Sequence, residues 1–368
     1  MSMNQRSSAW PLALVFAALV LYASLYPFAG WRFQGAQPLG FLSDPWPRYW
    51  TRFDVVANLL GYAPLGFLVA LALLRSGAGR WSWPVAAGLP ALMSLAIESV
   101  QTYLPMRVPS NLDLVLNAGG AVMGATAAVL LERLGGLRRW SQLRADWLVP
   151  RAQGSLVLLA LWPMALLYPV SVPYGMGQVW SRVEAGLVRL LDGTPFLAWL
   201  PVRPVPPAPL GLLAEAFCVG LALLTPLLMG YADVRTAWRR GVFLCLFFAC
   251  ALSVAALSST LTFGPAQAWA WLTPQVELGM LTAVVVGLLA LGLPERWCQL
   301  LMLLCLVTFL TLLNGAPDSP YLEESLQVWE QGRFIRFYGL SQWLGWIWPF
   351  AALFSGLRAL ARPPVASG

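Results

Sequence analysis

The sequence predicts an all-α, polytopic helical membrane protein with about ten transmembrane helices and both termini in the cytoplasm. Three observations predict it. The 368 residues are 59% hydrophobic and 11% charged, with a mean hydropathy of +0.68, too little charge to cover a soluble surface. Apolar runs of about 20 residues, each long enough to cross a bilayer as a helix, recur along the chain. The arginines between those runs alternate in density from one connection to the next, as they do when basic loops stay inside.

In chain order the runs lie at roughly 9–28, 55–74, 84–104, 112–131, 155–172, 209–230, 241–262, 276–293, 297–315 and 341–360. Arg6 ahead of the first run resembles a signal peptide, but nine more runs follow and it reads as an uncleaved anchor. With the N-terminus inside, the inner connections carry 14 arginines against four acids, and the rest of the chain nine against 12. That asymmetry supports the even count and the orientation. Residues 1–135 form an N-terminal transmembrane domain, 136–154 a basic cytoplasmic loop, and 155–368 a six-helix C-terminal domain. Two outer segments, 176–193 and 321–340, mix Trp, Phe, Val and Leu with charges at helical spacing and suit helices lying in the interface. The stretch LPVRPVPPAPL, at 200–210, is a rigid spacer leading into the sixth span.

The formal charge of +7 comes from arginine alone, since the chain has no lysine. In such a chain it reports loops lying against anionic lipid rather than nucleic acid. Histidine is absent, which removes the commonest general base and metal ligand. The five cysteines lie in apolar runs without a C-x-x-C and read as inert thiols. Chemistry is left to Asp, Glu, Arg, Asn, Gln or a hydroxyl.

Two stretches fit D-x-V-x-N-x-x-G: Asp54, Val56, Asn58, Gly61, and again Asp113, Val115, Asn117, Gly120. Each opens a span that runs inward from the outer surface, so the two sit at one depth. Asp and Asn four apart share a helical face. Capping of the helix start explains Asp54 and Asp113 as readily as chemistry does, and hydrogen-bond bridging between helices explains Asn58 and Asn117. Gly61, Gly120 and Gly124 read as packing residues. The third span delivers Glu98 and Gln101, and the loop after it Arg107, Ser110 and Asn111; Arg48 and Arg52 precede the second span. Glu98 lies inside a span with no helix start to cap, and an intramembrane carboxylate is a functional candidate with an expected partner. Arg107 or an arginine of the first outer loop is the expected partner.

In this order the residues resemble the VanZ-like family, linked to resistance to the glycopeptide teicoplanin. The match covers roughly residues 9–135, through FDVVANLLGYAPLGFLVAL and SLAIESVQTYLPMRVPSNLDLVLNAGGAVMG. The carried positions are Asp54, Asn58, Pro64, Gly66, Glu98, Gln101, Arg107, Asp113, Asn117 and Gly120. The resemblance implies a helical domain in the bacterial envelope, and hence a multi-pass protein of the inner membrane, without implying a settled reaction.

Three functions fit the residues. An enzyme would use Glu98, Asp54 and Asp113 as catalytic groups, able together to hold Mg²⁺ or Ca²⁺. Arg52, Asn58, Gln101, Arg107 and Asn117 would bind an anionic, lipid-linked or amphipathic substrate. A non-catalytic binder would recognise an envelope precursor or an antibiotic with the same cluster. A proton-coupled lipid transporter would use Glu98 as its coupling site, the twice-used motif being the trace of a repeat.

Overall fold

A computed structural model describes residues 9–26, 28–150, 152–168, 170–200, 209–317 and 335–361, without the side chains of 53, 153 and 335–339. The first unit, Met1–Ala145, contains α1 (Ala9–Leu25), α2 (Arg52–Arg75), α3 (Ser82–Gln101), α4 (Asn111–Arg133) and most of α5 (Gly136–Trp147). The second, Asp146–Gly368, contains α6 (Gln153–Ala165), α7 (Trp180–Leu191), α8 (Leu212–Asp233), α9 (Ala237–Phe263), α10 (Pro274–Leu289), α11 (Glu295–Gly315) and α12 (Ile335–Leu360). The protein is a polytopic helical membrane protein, and every expected span coincides with a helix. Among the described residues, α2, α3, α4, α8, α9, α11 and α10 with its short extension to Gly292 make seven helices long and apolar enough to cross a bilayer.

Two expected spans come out short. The first is 17 residues and the fifth 13. At 1.5 Å per residue α6 reaches only about 20 Å, less than the roughly 30 Å of hydrocarbon. Pro163 lies in its last turn, and the chain beyond Ala165 turns into irregular structure. The basic stretch expected as a loop is helical over Gly136–Trp147, with no buried residue. Of the two expected interfacial helices, one is α7; the other, 321–340, lies outside the described residues except where it enters α12.

In the first unit, α2 and α4 run parallel in close contact and α3 runs antiparallel beside them. Small residues permit the approach. A methyl group on Gly120 would meet the Leu59 carbonyl, one on Gly124 the Ala63 carbonyl, and one on Gly66 the Ala121 carbonyl. Gly61 is different from the expectation: nothing lies within 4 Å of the place its Cβ would take. Tyr62, Leu65, Val69, Ala86, Ala125 and Ala128 fill the core of this unit. The second unit is built around α8, buried almost without a break from Ala216 to Asp233, as a helix apolar all round must be. Trp162 of α6 sits in the same core, 4.9 Å from the ring of Phe247 on α9.

Candidate functional site

The polar residues of the first unit gather at the end where α2 and α4 begin and α3 finishes. Thr51 starts α2 with a reciprocal capping box: its hydroxyl accepts from the Asp54 N–H, and the Asp54 carboxylate accepts from the Thr51 N–H at 2.9 Å. Ser110 starts α4, its hydroxyl accepting from the Asp113 N–H at 3.3 Å. Both motif acids therefore stand in first turns, but only the first is spent on its own cap. Asp113 reaches across instead, its Oδ1 accepting from Asn58 Nδ2 at 2.8 Å. The acid of the second motif binds the amide of the first.

Asn117 turns to α3, donating to Ser94 Oγ at 2.9 Å in a buried bond. Ser94 lies one turn before Glu98, and both are buried, Glu98 with 4% of its surface exposed. The Glu98 carboxylate accepts from the Ser110 backbone N–H at 3.0 Å. The start of α4 is thus one direct partner of Glu98. Arg107 donates to the carbonyls of Tyr26 at 2.7 Å and Ala23 at 3.2 Å, at the end of α1, where last-turn carbonyls lack helical partners. Gln101 donates to the neighbouring Ser24 carbonyl at 2.7 Å. The charges of Arg107 and Asp113 nevertheless both act on Glu98.

The structure brings together Asn58, Glu98, Gln101, Arg107, Asp113 and Asn117. Asp54 and Arg52 stay at the exposed rim of α2. Among the described residues no three of His, Cys, Asp and Glu come together as a metal-holding group. The cation site expected from Asp54, Glu98 and Asp113 therefore does not form, because the carboxylate of Asp54 is folded back onto Thr51. Two residues that sequence reasoning missed belong to the cluster. Ser94 carries Asn117, and Tyr62, buried one turn after Asn58, brings its hydroxyl to the Ser94 side chain. Asn117 Oδ1 is shielded from solvent and has no hydrogen-bond partner among the described residues.

At the same end the chain from 28 to 51 exposes Trp31, Phe33, Trp46, Tyr49 and Trp50, beside exposed Arg32, Arg48 and Arg52. Aromatic rings among arginines suit a membrane–water boundary.

Residues 5–132 match the VanZ/LLP1 family model. This segment is VanZ-like, and the match ends within the last turns of α4. Every residue of the cluster lies inside the VanZ-like segment, and the second unit lies outside it. No curated protein and no solved structure matches the chain.

Proposed function

We propose that the VanZ-like unit of this membrane protein takes up an anionic, amphipathic molecule, of the lipid-linked kind, at the outer leaflet of a bacterial inner membrane. Glu98 exchanges a proton with it, Arg48 and Arg52 meet its headgroup at the rim, and Asp113, Asn58 and Asn117 hold the helices that position Glu98. The observation that carries this reading is the Glu98 carboxylate, buried inside an apolar span at the end that exposes arginine and tryptophan. A carboxylate is expensive there and persists where it is used. The basic connections at the opposite end, Arg75, Arg80, Arg133 and Arg138, support this orientation.

A second reading, recognition without chemistry, is favoured by one observation: Asn58, Gln101, Asp113 and Asn117 are all engaged in bonds that join helices, and Arg107 in bonds that tie the loop after α3 to the end of α1. A lipid and lipid-linked glycan profile of the envelope, by mass spectrometry, separates the two. It compares a deletion strain, the same strain with wild type, and the same strain with Glu98→Gln at matched expression. The primary reading expects a species that accumulates in the deletion and with Glu98→Gln but not with wild type. Its mass shift would name the reaction; an unchanged mass with altered leaflet exposure would make the unit a transporter. A normal profile with Glu98→Gln removes the proton-exchange role. The resemblance to the VanZ-like family carries a part in glycopeptide resistance, and teicoplanin sensitivity of the same three strains tests it.

A further inference from the structure

The buried polar groups of the first unit stop abruptly on the way inward. Glu98 stands three residues before α3 ends at Gln101. Outward of it lie the Ser110 N–H that it accepts, Arg107 in the loop and Asp113 on α4. Ser110, Asn111 and Asp113 are half-exposed. From α1 the carbonyls of Ala23, Ser24 and Tyr26 turn to the same region. One turn deeper, Tyr62 of α2, Ser94 of α3 and Asn117 of α4 form a buried layer. Asn117 Nδ2 donates to Ser94 Oγ at 2.9 Å, and the Tyr62 hydroxyl comes to Ser94 while facing Glu98 from α2.

Inward of that layer the four helices carry almost no polar side chain. There is none on α2 from Ala63 to Leu74, none on α3 from Pro84 to Met93 and none on α1 from Pro11 to Leu21. On α4 the exception is Thr126, whose hydroxyl accepts from the exposed Trp83 Nε1 at 3.0 Å, near the inner end. The apolar stretch of α3 alone amounts to about 15 Å of helix. It is also filled. Leu65, Val69, Ala70, Ala86, Ala125 and Ala128 are buried there, and Gly66 and Gly124 bring α2 and α4 together backbone on backbone. An ordered water needs about two to four polar partners, and the side chains of this stretch offer none. A proton on Glu98 thus has polar groups on one side and a packed apolar plug on the other.

We propose that Glu98 is a one-sided acid: its proton is exchanged with the outer side of the membrane, and the apolar layer beneath Tyr62, Ser94 and Asn117 closes the route inward. This deepens the proton-exchange reading of Glu98 and rests on it. A carrier driven by a proton gradient must offer its acid to both sides in turn, and here one side is closed. The proton is then a reagent taken from the outer side and returned to it. Any movement of lipid by this unit draws on something other than the proton gradient.

Dicyclohexylcarbodiimide tests this, because it adds to a protonated carboxyl within a bilayer and leaves a stable N-acylurea that mass spectrometry counts on the Glu98 peptide. The full chain is labelled briefly in right-side-out and in inverted membrane vesicles. The pH of the two sides is set independently, with no membrane potential imposed, and Glu98→Gln gives the background. Raising the outer-side pH from about 6 to about 9 should lower Glu98 labelling about tenfold or more, as the protonated fraction falls. The same step on the cytoplasmic side should leave labelling unaltered. Labelling that follows the cytoplasmic side, alone or as strongly as the outer, would overturn the one-sided route and leave proton exchange by Glu98 intact. Labelling that ignores both sides would overturn the exchange itself, and this inference with it.

Discussion

At the scale of single residues, the Glu98 carboxylate both carries charge and accepts the Ser110 N–H, and two substitutions separate these tasks. Glutamine keeps an acceptor oxygen, so Glu98→Gln should melt close to wild type in detergent while losing any proton-dependent function. Leucine strands a buried N–H, and Glu98→Leu should lose about 1–3 kcal/mol of stability. Asp54 separates differently, because it is exposed and closes a capping box. Asp54→Ala should cost about 0.5–2 kcal/mol through the cap alone and leave the lipid profile of the cell unchanged. A changed profile at unchanged thermal stability would show that Asp54 is more than a cap. The sequence made the acids and amides legible because each is costly in an apolar run. It did not reveal their pairing: both motifs read alike, and only the neighbouring helix decides that Asp113 meets Asn58 while Asp54 folds back on Thr51. Ser94 and Tyr62 left a usable signal, since each stands four residues from a residue singled out, Glu98 and Asn58 respectively.

At the scale of elements, the α2–α4 contact is set by backbone against backbone. Gly124→Ala places a methyl group on the Ala63 carbonyl and should cost about 1–3 kcal/mol as overpacking. Gly61→Ala meets open space in mid-helix and should be neutral or stabilising by up to about 1 kcal/mol. Thermal unfolding of the two variants side by side checks the pair; equal losses would mean that α2 faces α4 through another side. The G-x-x-x-G of Gly120 and Gly124 was legible as a close-packing face. Which glycine of α2 answers it was not, because Gly61 and Gly66 lie on different faces and the choice belongs to the partner helix. The fifth span was misread for a related reason. The run at 155–172 is apolar enough for a helix, and hydropathy does not register that the chain past Pro163 leaves the helix while staying buried.

At the scale of the molecule, the two units have hydrophobic cores with no residue in common, and the family match stays within the first. Residues 1–145 expressed alone should therefore give a monodisperse, helical protein in detergent with its own melting transition. Aggregation of that fragment, with the full chain well behaved, would show that its fold depends on the remainder. A run of arginines lies between the two apolar blocks of the sequence. The irregular, buried chain of the second unit was not legible there, because its order comes from Asn314, more than 130 residues further on.

The grip of Arg107 and Gln101 on the end of α1 has a consequence for any anion that enters the cluster. A headgroup that takes the Arg107 guanidinium must compete with the carbonyls of Ala23 and Tyr26, so occupancy and the fraying of that last helical turn are thermodynamically linked. Ligand would then unlatch the first helix, and a first helix held shut by other means would weaken the ligand by the same factor.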